Sequence, residues 1–170
     1  GYRVTELPVD SEGMIDLDTY RRSLTPDTAV ISIMWANNET GVIFPVEEMA
    51  SLAKERGILF HTDAVQAAGK IPINMKNNEI DMLSISGHKL HAPKGIGILY
   101  IRKGTSFSPF LIGGHQEKGR RGGTENVPSI IGLGKACELA YLNMEKKNGR
   151  VKSLRDRLED GLLKRIPRCK

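Results

Sequence analysis

Short apolar runs rich in β-branched residues alternate along this chain with segments whose apolar positions recur every three to four residues. Ala29-Val30-Ile31-Ser32-Ile33-Met34 predicts a buried strand, and Ile58-Leu59-Phe60-His61 predicts a second. Met82-Leu83-Ser84-Ile85-Ser86 and Gly97-Ile98-Leu99-Tyr100-Ile101 predict two more. Gly1-Tyr2-Arg3-Val4 also reads as the opening of a strand. Between the first two runs, Pro45 to Arg56 predicts a helix, with Pro at its start and Gly57 beyond its end. Strands alternating with helices predict an α/β fold, a mainly parallel sheet with flanking helices. Active sites in such folds lie beyond the carboxyl ends of the strands.

From Pro128 the pattern becomes helical throughout. Ile130, Ile131, Leu133, Gly134, Ala136, Cys137, Ala140, Tyr141 and Met144 keep a helical rhythm, and Val151, Leu154, Leu158, Leu162 and Leu163 form a second stripe on a strongly charged helix. Asn148-Gly149 either interrupts the helix or only dents it, and Pro167 marks its stop. The expected division is a sheet-bearing part over 1–127 and a long helical connection over 128–170, leading toward a second domain outside the chain.

Composition narrows the function classes. Hydrophobic residues at 39% and charged residues at 26% describe a soluble globular chain with a real core. No apolar run approaches the roughly 20 residues of a membrane span, so no membrane association is expected, and no leader sequence is visible. The net charge of +5 gathers toward the C-terminus, where basic residues alternate with Asp156, Glu159 and Asp160. That reads as a solvated face rather than a nucleic-acid surface. Cys137 and Cys169 have neither disulfide-framework nor metal-site spacing, which fits a reducing cytoplasm and predicts no metal.

Three predicted strands end in polar clusters: Asn37-Asn38-Glu39-Thr40-Gly41, His61-Thr62-Asp63-Ala64-Val65-Gln66 and Ser86-Gly87-His88-Lys89. Adjacent strands would deliver all three to one rim. Lys89 follows an apolar strand directly, and Pro93, Gly95 and Gly97 tighten the loop after it. A lysine that captures an aldehyde must lose its proton near neutrality. Lowering its pKa from about 10.4 to about 7–8 takes roughly 4 kcal/mol of environment, which partial burial and a neighbouring cation supply. Asp63 is either a cap or a carboxylate able to hold a pyridine nitrogen protonated. Gln66 stands one turn on if Ala64 opens a helix, and is either an exposed polar residue or a donor to a phenolic oxygen. Ser86 and His88 are either surface residues or phosphate donors, and Asn38 either a turn residue or a ligand. His61 is assigned no chemistry. Further on, Gly113-Gly114 and Gly122-Gly123 flank a basic run before the long helix, which is either a flexible exposed loop or, with Arg and Thr124 at a helix start, an anion site. No phosphate-binding Walker loop or dinucleotide fingerprint is present.

Asn37-Asn38-Glu39-Thr40-Gly41, His61-Thr62-Asp63-Ala64-Val65-Gln66, Ser84-Ile85-Ser86-Gly87-His88-Lys89, Pro93-Lys94-Gly95-Ile96-Gly97 and Arg121-Gly122-Gly123-Thr124-Glu125-Asn126 together resemble cysteine desulfurases, of the class V aminotransferase group of fold-type I pyridoxal-phosphate enzymes. Gly113-Gly114-His115-Gln116-Glu117 and Gly119-Arg120-Arg121 are most similar to the nitrogenase-associated, NifS-type branch. The resemblance makes 1–127 part of the large, pyridoxal 5'-phosphate-binding domain and the chain an internal stretch of a longer enzyme. It implies Lys89 as the residue that binds the cofactor aldehyde, Asp63 at the pyridine nitrogen and Gln66 at the phenolic oxygen. Ser86 and His88 are then phosphate ligands, Asn38 a cofactor-site residue, and Thr124 a ligand to the phosphate held by the other subunit of a homodimer. It further implies that L-cysteine is converted to alanine and that sulfur passes, through an enzyme persulfide, to an iron–sulfur scaffold protein. The catalytic cysteine and the arginine for the substrate carboxylate are not matched here. Cys137 reads as structural and Cys169 stands too early, so the stretch alone is expected to be inactive. Selenocysteine lyase, cysteine sulfinate desulfinase, class V transaminase and a degenerate scaffold subunit are the alternatives.

Overall fold

The computed structural model describes residues 1–168; Cys169 lies outside the described residues. Four strands form one sheet in the order β1 (Val30–Met34), β2 (Leu59–Asp63), β3 (Met82–Ser86) and β4 (Gly97–Ile101). β1, β2 and β3 run parallel, and β4 lies antiparallel to β3. The reversal has a simple cause. A parallel crossover needs a dozen or more residues, and the chain between β3 and β4 is shorter than that and carries only a 3-10 helix, Gly87–Leu90.

The expected helix forms as α2 (Val46–Glu55), with Pro45 at its N-cap position and Gly57 in the left-handed region beyond its end. Its buried residues Val46, Met49, Ala50 and Ala53 pack on the sheet face that carries Ile31, Phe60 and Leu83. Full burial of residues such as Phe60 and Met49 stabilises by about 1.5–3 kcal/mol each. Helix α1 (Leu17–Ser23) was not evident in the sequence. Asp16 caps it by accepting from the amides of Asp18 and Thr19, and buried Tyr20 fastens it to α2 by donating to the Met49 carbonyl at 2.7 Å.

Strand alternation places Ser32, His61, Asp63, Ser84 and Ser86 on the opposite face. That face is far less covered: Ser32 and Val30 of β1 and Leu99 of β4 are exposed. The expected strand at Gly1–Val4 does not form. Tyr2 and Val4 are 97% and 80% exposed, and an extended segment without a neighbouring strand has nothing to satisfy its backbone groups but solvent.

After a four-residue helix, α3 (Gln116–Gly119), a single helix α4 runs from Val127 to Arg165. Its 39 residues span roughly 58 Å. Asn126 caps its first turn, and Asn148-Gly149 does not interrupt it. Only Leu133 and Ala136 are buried, where α4 crosses the chain after β3. The second stripe, from Val151 to Leu163, remains exposed. Among the described residues no helix is long and apolar enough to cross a membrane.

Candidate active site

Because β1, β2 and β3 are parallel neighbours, their carboxyl ends lie along one edge of the sheet. Each following segment is tied to the next strand. The Trp35 amide donates to the Asp63 carbonyl at 2.8 Å, and the Ala64 amide to the Ser84 carbonyl at 2.9 Å. The three polar clusters singled out in the sequence are thereby stitched into one rim.

Each cluster separates residues that shape backbone from residues that remain available. After β1, Asn37 builds the turn, its Oδ1 accepting from the amides of Glu39 and Thr40. Asn38, exposed beside it, makes no side-chain hydrogen bond among the described residues. After β2, Asp63 Oδ1 accepts from the Val65 amide at 2.9 Å, which is the cap-like role expected of a carboxylate there. Its second oxygen is left for another donor. Residues 64–70 form linked turns rather than a helix opening at Ala64. Gln66 still lies on the first of these turns and is half-buried.

After β3, Ser86 Oγ and His88 Nδ1 lie 2.8 Å apart, so the two candidate phosphate ligands are hydrogen-bonded to each other. Lys89 follows in the 3-10 helix. This segment is held against the start of β4: the Gly87 amide donates to the Ile96 carbonyl at 2.9 Å. A Cβ on Gly87 would stand 2.8 Å from that carbonyl oxygen, which explains why glycine precedes His88 and Lys89.

Lys89 is exposed in this chain, so the partial burial expected of a tuned lysine is not provided by residues 1–168. The expected cationic neighbour is present. Lys70 and Lys89 line the same open cavity of about 470 Å³, together with Gly132, Ala136 and Ala140 of α4. Neither Asp63 nor Gln66 lines that cavity, and Asp63 and Lys89 do not form an ion pair. Thr124 is exposed in the segment leading into α4 and joins none of the rim residues. The two glycine pairs that precede it have a packing role. The Gly122 amide donates to the Leu111 carbonyl, and Gly113 and Gly122 approach so closely that a Cβ on Gly122 would lie 2.9 Å from the Gly113 nitrogen. They pinch the base of the basic loop.

Sequence reasoning left two residues without a role. His61 bridges all three parallel strands: its Nδ1 lies 2.8 Å from Ser32 Oγ and its Nε2 2.8 Å from Ser84 Oγ. Burial lowers its pKa below the usual imidazole value, opposed by the nearby Asp63 carboxylate. The shared strand parity of Ser32 and His61 was the signal that could have found this row. Lys70 donates from Nζ to both the backbone carbonyl and Oε1 of Gln66, each at 2.9 Å. No periodicity in the sequence signalled this contact, because residues 64–70 form turns rather than helix.

A fold of this topology, with an amine, a carboxylate, an amide and a hydroxyl–imidazole pair on consecutive strand ends, defines a class of protein, and the sequence agrees. The chain belongs to the class-V aminotransferase family, whose profile matches residues 1–170. Within that family it is 65% identical over 166 residues to a cysteine desulfurase of Gluconacetobacter diazotrophicus, covering 98% of this chain and 42% of the relative. It is 62% identical over 167 residues to the cysteine desulfurase NifS of Azotobacter vinelandii, with the same coverage of 98% and 42%. A solved NifS-like protein superposes with a TM-score of 0.92 at 43% identity, covering 96% of this chain and 46% of that one. The chain thus spans less than half the length of the relatives it matches.

Proposed function

We propose that this chain is the central part of a pyridoxal 5'-phosphate-dependent cysteine desulfurase of the NifS type, which takes L-cysteine to L-alanine and passes the sulfur, as a persulfide on an enzyme cysteine, to a scaffold for iron–sulfur clusters, including those of nitrogen fixation. The observation that carries the proposal is the delivery of Asp63, Gln66, Ser86, His88 and Lys89 to one sheet edge by adjacent parallel strands.

The donor set fits the cofactor. Its aldehyde and its ring nitrogen sit at opposite ends of the pyridine ring, so the groups serving them must stand apart, as the unpaired Lys89 and Asp63 do. When bound, the cofactor supplies an electron sink for carbanion chemistry. The rest falls to side chains of this chain. Asp63 keeps one carboxylate oxygen for the ring nitrogen while the other holds the Val65 amide, which fixes its orientation. Gln66 offers its amide NH₂ to the phenolic oxygen. The Ser86–His88 pair offers a hydroxyl and an imidazole to the phosphate, each restricting the other's rotation. Asn38 contributes a free amide from the turn after β1. Lys89 holds the aldehyde and moves protons at its Nζ, with Lys70 lining the same cavity.

The exposure of Lys89 and Thr124 fits a site completed by the rest of the enzyme and by a second subunit, with Thr124 reaching the partner's phosphate. Residues 1–127 then form part of the large domain and 128–170 the helical connection. Cys137 is a half-buried free thiol within α4, away from the rim, and is assigned a structural role.

The test uses the longer enzyme that contains this segment, loaded with the cofactor and given L-cysteine. With a dithiol reductant present to release the persulfide sulfur as sulfide, alanine and sulfide should appear in equal amounts, and Lys89→Ala should abolish reducible covalent attachment of the cofactor. Attachment that survives at another lysine refutes the assignment. Residues 1–170 alone should release no sulfide above the free-cofactor background.

A further inference from the structure

Gln66 can serve the phenolic oxygen only if its NH₂ edge, rather than its carbonyl edge, faces the rim. An unconstrained glutamine presents either edge, since a half-turn of the terminal torsion exchanges them. Lys70 removes this choice. An ammonium group has three donors and no acceptor, so the amide atom 2.9 Å from its Nζ must be Oε1. With the oxygen occupied, the edge of Gln66 that remains free is a pure donor.

Lys70 is itself held in place. Its Nζ makes a second hydrogen bond, to the Gln66 backbone carbonyl. Its own carbonyl accepts from Asn148 Nδ2 of α4, so the long helix anchors the end of the turn. The charged groups around it are Lys89 from the segment after β3 and Lys147 from α4, with Lys135 of α4 lining the same cavity. Burial first, then Lys89 and Lys147, lower its pKa.

We propose that Lys70 is a positioning residue that locks the Gln66 side chain with its NH₂ edge toward the cofactor's phenolic oxygen, through the hydrogen bond from Nζ to Oε1. This inference rests on the assignment of Gln66 made above. Lys70 touches neither substrate nor cofactor; it acts through Gln66.

The readout is the pH titration of the bound cofactor's visible absorption in the longer enzyme, which reports on the phenolic oxygen without any turnover. The variants are Gln66→Met, Lys70→Met, Lys70→Arg and the double variant Gln66→Met/Lys70→Met. Lys70 is exposed, so the folded state tolerates its replacement. Gln66→Met is expected to displace the titration midpoint. Lys70→Met should displace it in the same direction by at least half as much, Lys70→Arg should restore it, and Lys70→Met should add nothing once Gln66 is gone. A Lys70→Met midpoint equal to that of the unmodified enzyme overturns the proposal. So does an equal displacement in both backgrounds, which would mean that Lys70 acts through its charge on Lys89. If Gln66→Met itself leaves the midpoint unmoved, the Gln66 assignment fails, and Lys70 loses its role with it.

Discussion

Gly87→Ala tests the link between fold and site at its tightest point. A Cβ at Gly87 would meet the Ile96 carbonyl oxygen at 2.8 Å, Ile96 Cγ2 at 2.8 Å and Ala92 Cβ at 3.2 Å. The methyl of Ile96 can swing aside, but the carbonyl is backbone, and it accepts the Gly87 amide at 2.9 Å. Relief therefore requires the segment after β3 to move away from the start of β4. Overpacking of this kind costs about 1–3 kcal/mol, and weakening the amide bond adds about 1 kcal/mol. Together these come to roughly 2–4 kcal/mol, so the melting temperature should fall by about 4–16 °C at roughly 2–4 °C per kcal/mol. The same movement displaces His88 and Lys89, so cofactor affinity should fall with stability. Gly149→Ala is the matched control. Nothing lies within 4 Å of its Cβ position, and it sits inside an exposed stretch of α4. There alanine should stabilise by about 0.5–1 kcal/mol, because it lowers the entropy lost in forming helix. Thermal melts of both variants, with cofactor binding measured by fluorescence, decide the matter. A Gly87→Ala protein that melts like Gly149→Ala and binds cofactor normally would refute the reasoning.

Three further outcomes follow from buried or capping groups. Tyr20 has its pKa pushed up to about 12 by burial, so its neutral form is favoured in the fold. Its stabilising contribution is complete below about pH 10 and is lost as pH rises toward 12, and Tyr20→Phe should remove that alkaline slope while costing about 1–2 kcal/mol at neutral pH in denaturant titrations. His61 has its pKa lowered by burial, so its contribution is present above about pH 6.5 and is lost as pH falls below that. His61→Gln should flatten the acid limb of a stability–pH curve, and an unchanged limb would assign the loss to other groups. Asp16→Ala removes the cap accepting from Asp18 and Thr19 and should destabilise by about 1 kcal/mol, measurable as a shift in urea midpoint.

The strands and α2 were legible because burial on one face wrote itself as apolar runs, bounded by Pro45 and Gly57. α1 was not, because Tyr20 is its one fully buried residue and a single apolar position makes no rhythm. The opening strand at Gly1–Val4 was over-read: its apolar residues have no strand beside them within this chain. At the site, strand order alone placed Asp63, Ser86 and Lys89 on one edge. The burial expected of Lys89 does not appear within residues 1–168, where the side chain is exposed. The Lys70–Gln66 contact was hidden for a different reason. The turns over 64–70 are not helical in pattern, so four-residue spacing carried no expectation of contact.

The backward return of β4 has a mechanical consequence. It mounts the amine on a short, doubly pinned bend, where neither flank can slide without breaking sheet pairing. Reach must therefore come from the four methylenes of the side chain alone. A partner for this nitrogen has to arrive within that small radius, which makes the bend a selector of geometry before any bond is made.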